Sequence, residues 1–304
     1  MSQRVRVFQV DAFTRQRFCG NPAGVVLEAD ALSDHDMQAL SRELNNGDTA
    51  FLLRPDAADH DLRVRFFTPR TEAAFVGHAT LAAHAVLAAL RLEPRRRQKQ
   101  KSGVVEVDTL DSAPPRISIR QAAPSLGRRI EPQQLDALLD ALALERADLD
   151  ARCPAMIAGH GSTRLLLGVA AGEVLGRVRP DLPRLRALSA QLGAPGYFLF
   201  TLQPSRPGVL SESRMFCPAL GIDEDPVSGN AHALLGAYLL HHGLIAPAAV
   251  RSTQSETVEF SGAQGDFLGR PGRVSVALRL EQGILRSVSI IGEAVIVFAT
   301  ELEF

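Results

Sequence analysis

Apolar and polar side chains alternate from Met1 to Val10, the period of a strand with one buried face. Similar or β-branched patterns predict strands over Gly103 to Val107, Arg116 to Arg120, Thr163 to Val169, Val274 to Leu280 and Ser287 to Phe298. Gln133 to Leu149, rich in Leu and Ala, reads as a helix packed on a surface. Two other stretches behave differently. Gly77-His78-Ala79-Thr80 opens one that runs through Leu90, and Gly229-Asn230-Ala231-His232 opens one that runs through Leu240. Both are helical in period and apolar nearly all round. A helix without a polar face has no place on a surface, so each is expected at the centre of its own domain with strands wrapped about it.

These two helices belong to a longer internal repeat. Gln38 to Leu53 (QALSRELNNGDTAFLL) matches Arg186 to Phe200 (RALSAQLGAPGYFLF), each a short helix, a polar or Gly/Pro turn and an apolar strand. Arg65 to Pro69 (RFFTP) then matches Arg214 to Pro218 (RMFCP), an aromatic-rich strand stopped by proline. The apolar helices follow in both halves. Three ordered matches predict an α/β (α+β) protein of two pseudo-symmetric domains, over residues 1–115 and 116–293, with a linker near Ser112 to Pro115.

A chain of 304 residues with 46% hydrophobic side chains is long enough for two cores. Its net charge of −1 and pI near 6.7 give no general attraction to nucleic acid or an anionic membrane, so a small molecule is the expected partner. No apolar signal follows the first strand and no run of eighteen apolar residues occurs, so a cytoplasmic protein without a membrane span is expected. Cys19, Cys153 and Cys217, odd in number and far apart, read as reduced thiols. Both lysines, Lys99 and Lys101, lie in the basic run Arg95 to Lys101, which reads as a solvated loop; Schiff-base and pyridoxal chemistry are therefore not expected. Neither GxGxxG nor a Walker loop is present, nor HExxH or CxxC, so no cofactor and no metal are expected. Gly159-His160-Gly161-Ser162 lacks the glycine a nucleophile elbow requires after its serine and reads as a loop.

The helix starts at Gly77-His78 and Gly229-Asn230 would each aim unpaired N–H groups and a partial positive charge at whatever lies before them, a geometry suited to a carboxylate. Before the second lies Asp223-Glu224-Asp225-Pro226-Val227-Ser228. This is either an acidic helix cap or a turn that presents Asp225, fixed by its proline, as a proton donor or acceptor. Asp48, after Asn45-Asn46-Gly47, is either a turn residue or a general base at a strand mouth. His78 at a helix start would have a lowered proton affinity and could donate a hydrogen bond while neutral, whereas His84 and His232 read as core histidines.

With Val10-Asp11-Ala12-Phe13, Gly20-Asn21-Pro22-Ala23-Gly24-Val25-Val26, Asp48-Thr49-Ala50-Phe51, Phe67-Thr68-Pro69, Gly77-His78-Ala79-Thr80 and Glu224 to Asn230 in this order, the sequence resembles the PhzF-like proteins almost end to end. That family is named for an isomerase of phenazine biosynthesis and shares the diaminopimelate epimerase fold. The resemblance implies two sheets, each rolled around a helix, a site in the cleft between them, commonly a homodimer, and a last strand over residues 294–304 that crosses back to the first domain. It implies cofactor-free relocation of a proton by the carboxylate at Asp48, with His78 and Asp225 orienting the substrate and assisting protonation, and Asn21, Gly77, Ser228, Gly229 and Asn230 in substrate binding. The family carries glutamate where this chain has Asp48, which shortens the reach by about 1.5 Å in a transfer that needs contact near ~3 Å. Two-thiol epimerases of this fold place cysteines where Val76 and Val227 stand here, and valine neither takes nor gives a proton. A non-catalytic binding protein and an amino-acid epimerase using Asp48 and Asp225 as paired carboxylates are the alternatives.

Overall fold

The computed structural model describes residues 4–110, 114–159, 163–245 and 255–304. The chain folds as two compact units, one of residues 1–121 with 291–304, the other of residues 122–290. In unit 1 the elements are β1 (Arg4–Ala12), β2 (Asn21–Leu27), α1 (Asp34–Leu44), β3 (Asp48–Leu53), β4 (Leu62–Phe67), the short β5 (Glu72–Ala73), α2 (Gly77–Ala89), β6 (Arg97–Gln100), β7 (Gly103–Leu110) and β8 (Arg116–Ala122). Unit 2 contains β9 (Leu126–Arg129), α3 (Pro132–Leu142), β10 (Met156–Ala158), β11 (Arg164–Gly168), α4 (Gly172–Arg177), α5 (Leu182–Leu192), β12 (Tyr197–Thr201), β13 (Ser211–Phe216), α6 (Gly229–His241), β14 (Ser255–Gln264), β15 (Gly272–Glu281) and β16 (Ile284–Gly292). The last strand, β17 (Ala294–Glu303), returns to unit 1 and pairs antiparallel with β1.

β2 and β3 are buried on both faces because both faces are covered. Phe8, Val10, Val25, Ala50 and Phe66 meet Ala79, Ala82, Ala83 and Val86 of α2 in one core. Val5, Val7, Val26, Phe51 and Phe67 meet Met37 and Leu40 of α1 in the other. Every residue of α2 from Ala79 to Leu87 is buried, with β1, β2, β3, β7 and β17 packed against it. The counterpart in unit 2, α6, packs on β9, β11 and β15, and its Gly236 admits Leu278, Val276 and Phe260 close to the helix axis.

The repeat is built into the strand pairing. In each unit a helix carries the chain between two parallel neighbours: α1 joins β2 to β3, with Ala23 beside Asp48, and α5 joins β11 to β12, with Leu165 beside Tyr197. The next strand then folds back antiparallel, β4 on β3 and β13 on β12.

Three local expectations are corrected. The run Arg95 to Lys101 is not a loop, since residues 97–100 form β6, with Gln98 and Gln100 pointing inward. Their burial is satisfied by a polar chain: Gln98 bonds His84 and Thr80 and passes a hydrogen bond to Gln100, which donates to Ser102. The helix expected over Gln133 to Leu149 stops at Leu142, where Ala143 turns left-handed (φ 55°). The strand expected over Ser287 to Phe298 is two strands broken at Glu293, whose carboxylate binds Arg15 and whose carbonyl accepts from Thr14 N–H. Residues 111–113 of the expected linker and 160–162 of the Gly159 to Ser162 stretch lie outside the described residues. No helix among the described residues is long and apolar enough to cross a membrane.

Candidate active site

In unit 1, α1 is closed by Asn45 in the left-handed region (φ 50°), and the chain turns through Asn46 and Gly47 into β3. The Asn46 and Gln9 side chains exchange two hydrogen bonds, of 2.8 and 3.0 Å, and so fix the turn that presents Asp48 as the first residue of its strand. His78 is the second residue of α2. Val76 caps that helix without a side-chain hydrogen bond, and the first N–H groups of a helix have no partner within the helix itself. Among the described residues, a Cβ at Gly77 would meet the Phe75 ring at an ordinary contact distance of 3.9 Å.

His78 Nε2 stands 3.8 Å from Asp48 Oδ2, with the two side chains 12% and 13% exposed. Burial lowers the His78 pKa to about 4, so the imidazole is neutral near pH 7. Burial is thus the cause found for the lowered affinity anticipated at a helix start. Nε2 is itself buried and makes no hydrogen bond among the described residues. A carboxylate beside a neutral imidazole can remove a proton while the imidazole positions a polar atom of the substrate. Asn21, 4% exposed, opens β2 two residues before the strand neighbour of Asp48. The preceding Gly20 (φ +62°) is required, because a Cβ there would fall 2.1 Å from the Ala12 carbonyl oxygen.

In unit 2 the turn into α6 gathers Asp225, Ser228, Gly229 and Asn230. The N–H of Asp225 donates to Met215 O at 2.8 Å, and Ser228 caps the helix with its Oγ accepting from Ala231 N–H at 3.3 Å. The acidic-cap reading is therefore replaced by a serine cap. Glu224 points elsewhere, receiving Arg214 Nε and Nη2 at 2.9 and 2.8 Å.

That ion pair is one of two matching clamps that sequence reasoning missed. Arg214 lies over the Phe216 ring at 4.9 Å and grips Glu224, five residues before Gly229. Arg65 lies over Phe67 at 5.0 Å and grips Glu72 at 2.8 Å, five residues before Gly77. The signal was present: each repeated aromatic segment, RFFTP and RMFCP, begins with arginine, and each turn places glutamate at the same distance before its glycine. Among the described residues no three His, Cys, Asp or Glu side chains converge as metal ligands, and all three cysteines are buried and unbridged.

Two units so alike, each with a sheet about an apolar helix, define the epimerase-like class of mixed α/β folds. A hydroxyproline epimerase from Agrobacterium vitis shares it with a TM-score of 0.62 at 11% identity, over 99% of this chain and 93% of that one. Within that class the chain belongs to the PhzC-PhzF family, whose model for phenazine biosynthesis-like proteins matches residues 10–300. A PhzF-family phenazine biosynthesis protein from Bacillus anthracis covers 99% of both chains with a TM-score of 0.84 and 26% identity. An uncharacterized isomerase of Clostridium acetobutylicum is 36% identical over 99% of both chains. The trans-2,3-dihydro-3-hydroxyanthranilate isomerase of Pseudomonas aeruginosa is 29% identical over 88% of each. The chain is an enzyme of this isomerase class.

Proposed function

We propose that the chain relocates a proton on a small, carboxylate-bearing, cyclic substrate without a cofactor, with Asp48 removing and returning the proton. The observation that carries this reading is the Asp48–His78 pair, a carboxylate 3.8 Å from an imidazole that burial keeps neutral. A neutral imidazole does not pair with the carboxylate as an ion, and it can hold a polar atom of the substrate beside it. In this reading His78 orients the substrate, Asp225 assists its reprotonation, and the N–H groups at the start of α2 and α6, with Asn21, Gly77, Ser228, Gly229 and Asn230, hold it. The P. aeruginosa relative supports the substrate class, since the compound it is named for is a cyclic carboxylate. We also propose that the chain acts as a homodimer in the cytoplasm, as the family resemblance of its sequence implies.

The test is incubation of the protein in deuterated water with trans-2,3-dihydro-3-hydroxyanthranilate, proline, hydroxyproline and diaminopimelate, with uptake read by mass spectrometry. Enzyme-dependent uptake into the cyclic dihydro acid is the expected result. Uptake at the α-carbon of an amino acid with loss of optical activity would turn the reading to an epimerase, and binding with no uptake into any compound would turn it to a binding protein.

A further inference from the structure

Gln264 closes β14 and is 1% exposed, its place fixed by parallel pairing with Ser213 and antiparallel pairing with Gly272. Its amide nitrogen donates to the Asp225 carbonyl at 2.7 Å, and its amide oxygen accepts from Ser228 N–H at 3.0 Å. One side chain thus brackets both ends of the turn Asp225-Pro226-Val227-Ser228. The bracket needs an amide: a carboxylate of the same shape would set an oxygen against the Asp225 oxygen. The next residue, Gly265 (φ +88°), lets the chain pass beneath the turn, since a Cβ there would lie 2.8 Å from Pro226 O.

The remaining backbone groups at the two ends are tied as well. Asp225 N–H goes to Met215 O, and the Ser228 carbonyl accepts from His232 Nδ1 at 2.8 Å. The Asp225 side chain therefore projects from backbone held at both its N–H and its C=O. Counting back from the two helix-opening glycines, Ala73 stands in unit 1 where Asp225 stands in unit 2. There the neighbouring Ala74 carbonyl takes a backbone N–H, from Ser102 at 3.2 Å. The side-chain bracket accompanies the acid.

We propose that Gln264 is a positioning residue for unit 2, orienting the Asp225 carboxylate toward substrate; its catalytic part rests on the proposed isomerase reading. The test compares wild type with Gln264→Leu, Gln264→Glu, Asp225→Asn and the Gln264→Leu/Asp225→Asn double variant. It uses backbone amide exchange by NMR and deuterium uptake into trans-2,3-dihydro-3-hydroxyanthranilate. In Gln264→Leu the Ser228 amide should exchange at least about tenfold faster, as expected when a hydrogen bond of about 1.4 kcal/mol is lost. Its kcat should fall on the order of 100-fold, the cost of about 1 Å of misplacement, with KM changed far less. Gln264→Glu keeps an acceptor for Ser228, so that amide should stay protected while kcat still falls. The double variant should be no slower than Asp225→Asn alone, because both changes remove one function. An unchanged Ser228 amide in Gln264→Leu, or losses that multiply in the double variant, would overturn the proposal. A wild type that exchanges nothing would instead count against the isomerase reading, and the amide measurement would still decide whether Gln264 holds the turn.

Discussion

The duplicated clamps allow one contact to be weighed twice in one molecule. Glu224→Ala removes the partner of Arg214 where the two side chains are 12% and 11% exposed, and Glu72→Ala removes the partner of Arg65 where they are 24% and 25% exposed. Breaking a buried pair by deleting one member costs roughly 3–5 kcal/mol, because the other charge is left without compensation. Arg214 keeps the Leu175 and Val178 carbonyls at 2.9 and 3.3 Å and the Phe216 ring, which places Glu224→Ala near the lower end, about 3 kcal/mol. Arg65 keeps Asp34 at 2.6 Å and sits in water's reach, so Glu72→Ala should cost about 1 kcal/mol. The chain has no tryptophan, and Tyr197 and Tyr238 are both fully buried in unit 2, so tyrosine fluorescence during urea unfolding reports that unit. With a slope of about 2 kcal/mol per molar, Glu224→Ala should lower that midpoint by about 1.5 M. Glu72→Ala, followed by amide exchange in β3 and β4, should cost about a third of that free energy. Equal costs for the two, or a larger cost at Glu72, would refute the argument that burial sets their worth.

Two further outcomes follow from buried histidines and a close glycine. His84 and His232 are held near pKa 4, both by burial, so the unfolded chain takes up protons below pH 6.5 that the folded protein refuses. Their stabilising effect is complete above about pH 6.5 and is lost as pH falls from there toward 4, by up to about 3 kcal/mol each; His84→Gln should flatten urea midpoints measured across that window, and an unaltered slope would contradict it. Gly262→Ala would set a Cβ 2.5 Å from the buried His232 ring, which is itself bonded to Ser228, so a loss of about 1–3 kcal/mol is expected. A thermal midpoint equal to wild type would show that the ring has room to move.

Much of the architecture was legible because it rests on period and repetition. Helices α2 and α6 announce their central position by lacking a polar face, and the ordered matches around Asp48 and Tyr197 translate into the same strand pairing in both units. Asp48 and His78, thirty residues apart, are brought to 3.8 Å by the packing of α2 across β3. What the sequence concealed was polar and long-range. Gln98 and Gln100 look solvated until His84 and Thr80 are seen beneath them. Glu224 looks like a helix cap until Arg214 claims it, and Gln264 gives no sign that it reaches back 39 residues to Asp225. Such partners carry no periodic signature, since a single hydrogen bond depends on where two distant strands come together.

The central claim, that Asp48 carries the proton, is tested most directly by deuterium uptake into trans-2,3-dihydro-3-hydroxyanthranilate with wild type, Asp48→Asn and Asp48→Glu side by side. Asp48→Asn keeps the shape and removes the base, so uptake should fall by about 10²-fold or more, while Asp48→Glu restores a carboxylate and should retain a measurable rate. Uptake by Asp48→Asn at the wild-type rate would contradict the account and move the base elsewhere in the chain.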